Sequence, residues 1–584
     1  MELGAGRHAA VLRPGSVADG SAGMRPDGKV EGLRQSMSWL HTYTGLLLGW
    51  VLFAMFLTGT LSYVRDEITA WMKPPVQHSF ADAQTADRAV AALRKLAPDA
   101  EQWTIDLPTA RQPAVEASWR AKGAAQGRRG REAVMLDAGT GEVLQVPETR
   151  GADFFYRFHF EFYGMSVYTG RIIAGIAAFF MLVAIISGVI THKKIFTEFF
   201  TFRPRKGQRS WLDAHNAMAV LGLPFHFVLT FTGLLLLMFI LLPWGLDAAY
   251  DGQRNQFYQE RRAQFDPSLE RPADAAAPVA GVLALDRILH DADQKFDGRG
   301  IDSFVVKHPG LADSTVEVRP AAGDRLTDYP ARRLFYTADG LPLQAPPETA
   351  TAWSTDVYRA MINVHIGRFA GPALRWVFFL SGIAGTLMVA TGLVLWVVKR
   401  LPERRKAGAT PFSHRLVEVL NTGAIGGLTV AIGSYFWLNH LLPAALKDRS
   451  LWEIRGFFCV WLLCALHPLL RTHRRAWIEQ LCLAAVLLFL LPVLNAATGG
   501  LPLWRSLAQG QWSIAGFELS AMAVAVLLAF AVRKLRAGVG SGAGRGAGKA
   551  AARHAGHVTA TGAAAAVTAM QSRDLESREM GVQQ

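Results

Sequence analysis

The sequence predicts an α-helical integral membrane protein of about eight transmembrane helices, with a duplicated helix–domain–helix unit and two small α+β domains outside the bilayer. Three observations predict it. Of the 584 residues 51% are apolar and only 18% charged, whereas soluble proteins carry about a quarter charged residues. Several uncharged apolar stretches exceed the ~18 residues needed to cross a bilayer core. The basic residues gather in short loops that fall on one side if the spans alternate, the pattern of cytoplasmic loops. A soluble enzyme, a disordered chain and a fibrous chain are all excluded.

Residues 1–35 are Gly/Ala/Arg-rich, with no apolar segment before Trp39, and read as a disordered cytoplasmic tail rather than a signal peptide. The first span is expected at roughly 44–64, within a segment 36–64, and the second at 171–191, within 159–192. A third follows at 217–242, within 211–243, and a fourth at 374–398, within 356–398. Four more, near 416–442, 455–470, 477–497 and 513–532, form a C-terminal extension over 416–532. The tail 537–584 is Ala/Gly-rich, low in complexity and expected to be disordered.

Charge orients the spans. The 193–210 loop holds Lys193, Lys194, Arg203, Arg205, Lys206 and Arg209 against Glu198. Lys399, Arg400, Arg404, Arg405 and Lys406 follow span four; Arg471, Arg474 and Arg475 follow span six; Arg533, Lys534 and Arg536 follow span eight. These loops and both termini are therefore placed in the cytoplasm. The net charge of +14 concerns orientation, and no nucleic-acid surface is implied.

The long polar segments 65–158 and 244–355 then face the opposite compartment. Alternating runs at 103–107, 315–319 and 334–337 predict half-buried strands. Asp137-x-x-Thr140-Gly141 and Asp339-Gly340 supply hairpin turns. Each segment is expected to form one small domain.

Cysteine narrows the chemistry. Cys459, Cys464 and Cys482 all lie in the late apolar region, and there is no Cys-x-x-Cys-His, so covalent c-type haem attachment is excluded. No cysteine-based zinc or iron–sulfur spacing occurs. Histidine, with 16 copies, is the plentiful soft ligand.

The span–domain–span pattern occurs twice. Ser38-Trp-Leu40, His41 and Thr58-Gly59 match Ser210-Trp-Leu212, His215 and Thr232-Gly233 at a constant offset of 174 residues. More loosely, His159, Gly170-Arg171 and Ser187-Gly188 match His365, Gly367-Arg368 and Thr391-Gly392. Two copies of one unit would face each other across a pseudo-twofold along the membrane normal. His41 would then meet His215 at the cytoplasmic end, and His159 would meet His365 at the outer end. Paired imidazoles across a bundle suit axial ligation of b-type haem and leave no open position for O₂. His192, level with His41 and His215, and His226, eleven residues after His215, are rival ligands. Zinc is the main competitor, but the outer histidines have only Glu161 nearby. A lone membrane histidine more often bridges helices by a hydrogen bond, the ordinary reading of His440 and His467. The aromatics Phe154, Phe155, Tyr156, Phe158, Phe160 and Phe162 fit an interfacial belt, with Tyr163 as a pocket candidate.

The chain resembles the PepSY-associated transmembrane-helix family of iron-regulated membrane proteins, which includes the siderophore-iron reductases. The resemblance is carried by Trp39-Leu-His-Thr-Tyr-Thr-Gly-Leu46, Phe154-Phe-Tyr-Arg-Phe-His-Phe160, Ser187-Gly-Val-Ile-Thr-His-Lys-Lys-Ile-Phe196 and Phe200-Thr-Phe-Arg-Pro204. Ser210-Trp-Leu-Asp-Ala-His215, Leu223-Pro-Phe-His226, and His365 with Gly367-Arg368-Phe369 complete it, over about 35–400. It implies a bacterial inner-membrane protein with two periplasmic PepSY-like domains and two b haems, passing electrons outward to the iron of a ferric siderophore. The family's motif histidines are haem ligands, which implies that role for His41, His159, His192, His215, His226 and His365. With no Gly-x-Gly-x-x-Gly and no flavodoxin-like segment, a membrane quinol or a cytoplasmic reductase is expected as donor. The competing classes are a transporter or permease component using the histidines for proton relay or metal binding, and a sensor or regulator without redox activity.

Overall fold

The structure is a computed structural model that describes residues 32–124, 130–192, 203–204, 206–265, 283–321, 326, 333–343 and 353–537. The tail beyond 537, all but the last four residues of the tail 1–35, and Lys193, Lys194, Glu198 and Arg205 lie outside the described residues.

The chain opens with α1 (Leu33–Ser62), α2 (Arg65–Trp71) and α3 (Thr85–Leu96). Three strands follow, β1 (Ala100–Asp106), β2 (Val115–Ala121) and β3 (Arg131–Leu136). Next come α4 (Asp153–Glu161), α5 (Val167–Thr191), α6 (Gln208–Leu221) and α7 (Leu223–Leu241). Beyond the short α8 (Trp244–Ala249), α9 (Arg254–Phe265) and α10 (Leu285–Lys295) lie β4 (Ile301–Lys307), β5 (Thr315–Pro320), β6 (Leu334–Thr337) and β7 (Pro342–Leu343). Then α11 (Trp353–Ile366) and the long α12 (Pro372–Ala407) lead to the extension. It comprises α13 (Phe412–Asn421), α14 (Leu428–Leu441), α15 (Arg449–Leu470), α16 (His473–Phe489), α17 (Leu491–Ala497), α18 (Leu503–Ala508) and α19 (Trp512–Ala537).

Seven of these helical segments are each long and apolar enough to cross a membrane: α1, α5, α7, α12, α13 continuing into α14, α15 and α19. The expected span at 477–497 is a bent pair, α16 and α17 at 43°, which makes eight if counted as one crossing. The chain is a multi-pass α-helical membrane protein.

The expected segment 211–243 is divided at Gly222 into α6 and α7, so that its span is α7 alone, and two other expected segments are each broken by a sharper turn. Within 159–192, the chain turns between α4 and α5 with Phe162 and Gly164 at positive φ (55° and 81°). Only glycine fits at 170, because a Cβ there would run into the Glu161 carbonyl. Within 356–398, α11 stops at Gly367 (φ 71°) before Pro372 begins α12. In both places the helix carrying a histidine is therefore separate from the long apolar helix after it.

The two polar segments do not form separate domains as expected. Their strands make one seven-stranded antiparallel sheet in the order β3-β2-β1-β4-β5-β6-β7. β1 and β4 zip the halves together, with Trp103 opposite Val306 and Ile105 opposite Phe304. One apolar core, including Leu93 of α3, Ile288 of α10, Ile105, Phe304 and Tyr336, joins β1 to β6 of the sheet. Splitting it would expose the inner edges of β1 and β4 and cut that core, which is why the halves stay joined.

Below the sheet, α1 packs on α5, α12 and α4, while α6 packs on α12 and α7 on α5 and α11. The extension seals one flank. Phe154, Phe155 and Phe158 of α4 are buried against Tyr435, Phe457 and Phe458, so these three are core residues and not an interfacial belt. Gln77 and Asn495 exchange hydrogen bonds, and Asn495 and Trp71 both donate to Glu518 Oε1 at 3.0 Å. All four side chains are fully buried, so the extension is an integral part of the fold.

Candidate functional site

Four of the six candidate histidines meet as two facing pairs. The ring centroids of His41 on α1 and His215 on α6 are 6.1 Å apart. Those of His159 on α4 and His365 on α11 are 6.2 Å apart. The first pair lies at the end of the bundle away from the sheet, the second at the end beneath it.

Hydrogen bonds fix each ring by its Nδ1. His41 Nδ1 donates to the Ala184 carbonyl at 2.8 Å, His215 Nδ1 to Met388 at 2.8 Å, and His159 Nδ1 to Met55 at 2.7 Å. His365 Nδ1 meets Thr232 Oγ1 at 3.1 Å, and its ring also bonds the Leu229 carbonyl. The Thr232 hydroxyl donates its own proton to Val228, so it accepts from the histidine. Fixing the proton on Nδ1 leaves the Nε2 lone pair free to ligate, the usual arrangement of a metal-bound histidine.

Glycine makes room for each ring. A Cβ on Gly59 would lie 2.7 Å from His159, on Gly233 3.0 Å from His365, and on Gly188 and Gly392 3.1 Å from His41 and His215. The contacts repeat with the offsets in the sequence. Met55 and Leu229, like Gly59 and Gly233, are 174 residues apart; Ala184 and Met388, like Gly188 and Gly392, are 204 apart.

The distances suit iron. A metal–imidazole bond is ~2 Å long and a ring centroid lies about 1.1 Å behind its nitrogen, so opposed imidazoles on one metal have centroids about 6 Å apart. Neutral imidazoles, tautomer-fixed and backed by glycine, fit axial ligation of b-type haem at both levels. Among the described residues no three His, Cys, Asp or Glu side chains converge on a closed metal site.

The remaining two candidates are placed differently. His192 caps α5, and its Nε2 accepts from Asn216 Nδ2 at 2.9 Å. His226 is buried, donates from Nε2 to the Ser381 carbonyl at 3.2 Å and meets the Phe56 ring edge-on at 5.8 Å. In the chain it lies between His215 and Gly233, and Phe56 lies between His41 and Gly59, so these two rings fill the layer between the pairs. Tyr163 stacks on Phe458 at 5.6 Å. His440 bonds Thr498, and His467 bonds Glu479, each bridging helices.

The backbone acceptors at Met55, Ala184, Leu229 and Met388 were not foreseen, since a carbonyl leaves no mark in side-chain identity. The seating glycines did leave one, as members of the repeated Thr-Gly and Ser/Thr-Gly pairs.

A family model described as the PepSY-associated TM region matches residues 38–399. Among curated proteins, the uncharacterized protein PA4219 of Pseudomonas aeruginosa is 26% identical over 319 residues, covering 52% of this chain and 76% of that protein. The family match ends before the extension begins.

Proposed function

The chain belongs to the PepSY-associated transmembrane family, and on that premise we propose that it is a di-haem b electron conduit of the bacterial inner membrane that reduces ferric siderophore iron in the periplasm. The observation that carries the reading is the two tautomer-fixed histidine pairs, with centroids 6.1 and 6.2 Å apart, stacked along one bundle.

Haem bound at these pairs would supply reversible one-electron chemistry on iron saturated by nitrogen ligands. The chain's own residues do the rest. His41 and His215 would hold the cytoplasmic group, and His159 and His365 the outer one. The Ala184, Met388 and Met55 carbonyls and the Thr232 hydroxyl hold the rings' orientation, and glycine lets the helices close on them. Phe56 and His226 fill the intervening layer with packed rings and keep water out.

In this reading the sheet is periplasmic, both termini are cytoplasmic, and the two sequence segments that build the sheet descend from one duplicated unit. The sheet stands over the outer pair and would dock the ferric complex there. Ferric iron is held far more strongly by hard oxygen donors than ferrous iron is, so one electron makes a tight complex labile. The reaction needs neither siderophore cleavage nor permanent iron binding.

The test is anaerobic mixing of dithionite-reduced, desalted protein with a panel of ferric siderophores. Reoxidation of the haem band together with trapping of Fe(II) by a ferrous chelator is expected. Reduced protein that stays reduced with every member of the panel rules out this acceptor class.

A further inference from the structure

The extension carries a second polar site that the histidine pairs do not use. His414 on α13 is only 3% exposed, yet neither Nδ1 nor Nε2 has a hydrogen-bond partner. The Trp396 ring on α12 lies 6.2 Å away, and its buried Nε1 is also unpartnered. Buried polar atoms are nearly always satisfied, and three orphans side by side point to a missing polar group.

The chemistry of that group is constrained. The cations around it are already engaged. Arg404 and Arg415 both pair with the buried Glu418, and Arg415 also donates to the Pro468 carbonyl. Arg400 bonds the Trp396 carbonyl and lies 3.9 Å above the Trp396 ring. An anion such as phosphate would find no free positive partner among them. The open positions are an indole N–H that can only donate and an imidazole with one acceptor nitrogen. A neutral hydroxyl meets two of the three orphaned atoms, accepting from Trp396 Nε1 and donating to the acceptor nitrogen of His414.

Position adds to chemistry. On the same helix Phe412, Leu416 and Leu420 form an exposed apolar stripe at i, i+4 and i+8, with Phe412 82% exposed. A ligand arriving from lipid would reach the buried stripe of His414, Val417 and Glu418 around this edge. Asn421 fixes α13 against the bundle, accepting from Trp50 of α1 and donating to Leu393 of α12. Trp396 is one turn beyond Gly392, which seats His215, a rise of ~6 Å.

We propose that His414 and Trp396 form a binding site for the head group of a membrane hydroquinone, with His414 as its proton acceptor and the His41–His215 level as its electron outlet. This assignment rests on the haem reading for its electron acceptor, but its ligand-binding claim stands apart. Oxidation breaks two O–H bonds and gives one quinone, two protons and two electrons; two ferric equivalents take the electrons singly. His414 accepts the protons in turn, and each leaves to bulk solvent at the basic end of the bundle, on the side where His473 neighbours His414.

The test uses the full-length protein in detergent and decylubiquinone as probe. Calorimetric titration is expected to show saturable binding that His414→Leu and Trp396→Phe each weaken at least tenfold. Both variants are expected to fold, because each removes an orphaned polar group; unchanged spectra and unfolding midpoints check this. Anaerobic decylubiquinol is expected to reduce wild-type haem at least tenfold faster than the variants', with dithionite reducing all alike. Saturable binding by a protein that carries no haem supports the site and removes the conduit reading alone. An absence of saturable binding to wild type, with water serving these atoms, overturns the proposal, as does equal binding by both variants.

Discussion

Gly59 is the floor on which His159 rests: a Cβ at that position would stand 2.7 Å from the ring's Cε1 and 2.8 Å from Nδ1. Neither distance is tolerated by real atoms, so Gly59→Ala has to push the imidazole away from the Met55 carbonyl. The expected outcome is loss or a marked spectral change of one haem out of two, read from the reduced-minus-oxidised spectrum. Gly188→Ala, with 3.1 Å available beside His41, is expected to have the smaller effect. Equal and full haem content in both variants would remove the seating role of these glycines.

Ligand assignment follows from the pairing. His215→Ala is expected to halve the haem content and keep the outer signal, and His365→Ala to do the converse. His192→Ala is expected to retain two haems, because His192 is turned toward Asn216. His226→Ala is also expected to retain both, since its Nε2 is spent on Ser381. Loss of a haem from either of the last two would reassign that site.

Asp106, on the strand joining the two halves of the sheet, has its carboxyl pushed up to about 6, first by burial and then by Glu116 and Asp302. Glu116 is directly opposite on β2, and like charges facing across a ladder repel. Between about pH 4 and pH 6 the folded protein thus holds a proton that the unfolded chain, with an ordinary carboxyl near 3.8, has released. Stability from this group is full below about pH 4 and is lost as pH rises toward 6. Asp106→Asn is expected to stabilise the protein by ~1–3 kcal/mol at pH 8 and to do little at pH 4. Unfolding midpoints at the two pH values measure it.

Arg449 and Glu453 form an ion pair at 2.5 Å, with side chains 3% and 0% exposed. Arg449 also donates to the Glu148 and Asn439 carbonyls, and Glu453 accepts from Asn439 and Thr149. Removing one member strands a buried charge, which costs ~3–5 kcal/mol. Arg449→Met should therefore lower the unfolding midpoint strongly, and Arg449→Met with Glu453→Leu should recover part of the loss. A single variant as stable as wild type would show that solvent reaches the pair.

The spans were legible because a bilayer demands long uncharged helices, and hydropathy reports that directly. The four paired histidines were legible through the repeated Ser-Trp-Leu and Thr-Gly landmarks around them. The single sheet was not legible. β1 and β4 are nearly two hundred residues apart, and an antiparallel seam of Trp103 with Val306 leaves no local signature in either strand. The break before α5 was hidden for a similar reason: Phe162 adopts a positive φ, which its residue type does not announce. Burial of Phe154, Phe155 and Phe158 depended on the extension, whose docking through Gln77, Asn495, Trp71 and Glu518 is equally non-local.

The central claim is that the His41–His215 and His159–His365 pairs each hold one b-type haem. Haem per polypeptide, assayed on full-length protein purified from haem-replete cells, tests it most directly when read with the dithionite-reduced spectrum. The account predicts two b-type haems per chain, falling to one in His41→Ala and to one, with the other signal lost, in His159→Ala. A colourless wild-type protein would contradict it, as would a haem content untouched by either substitution.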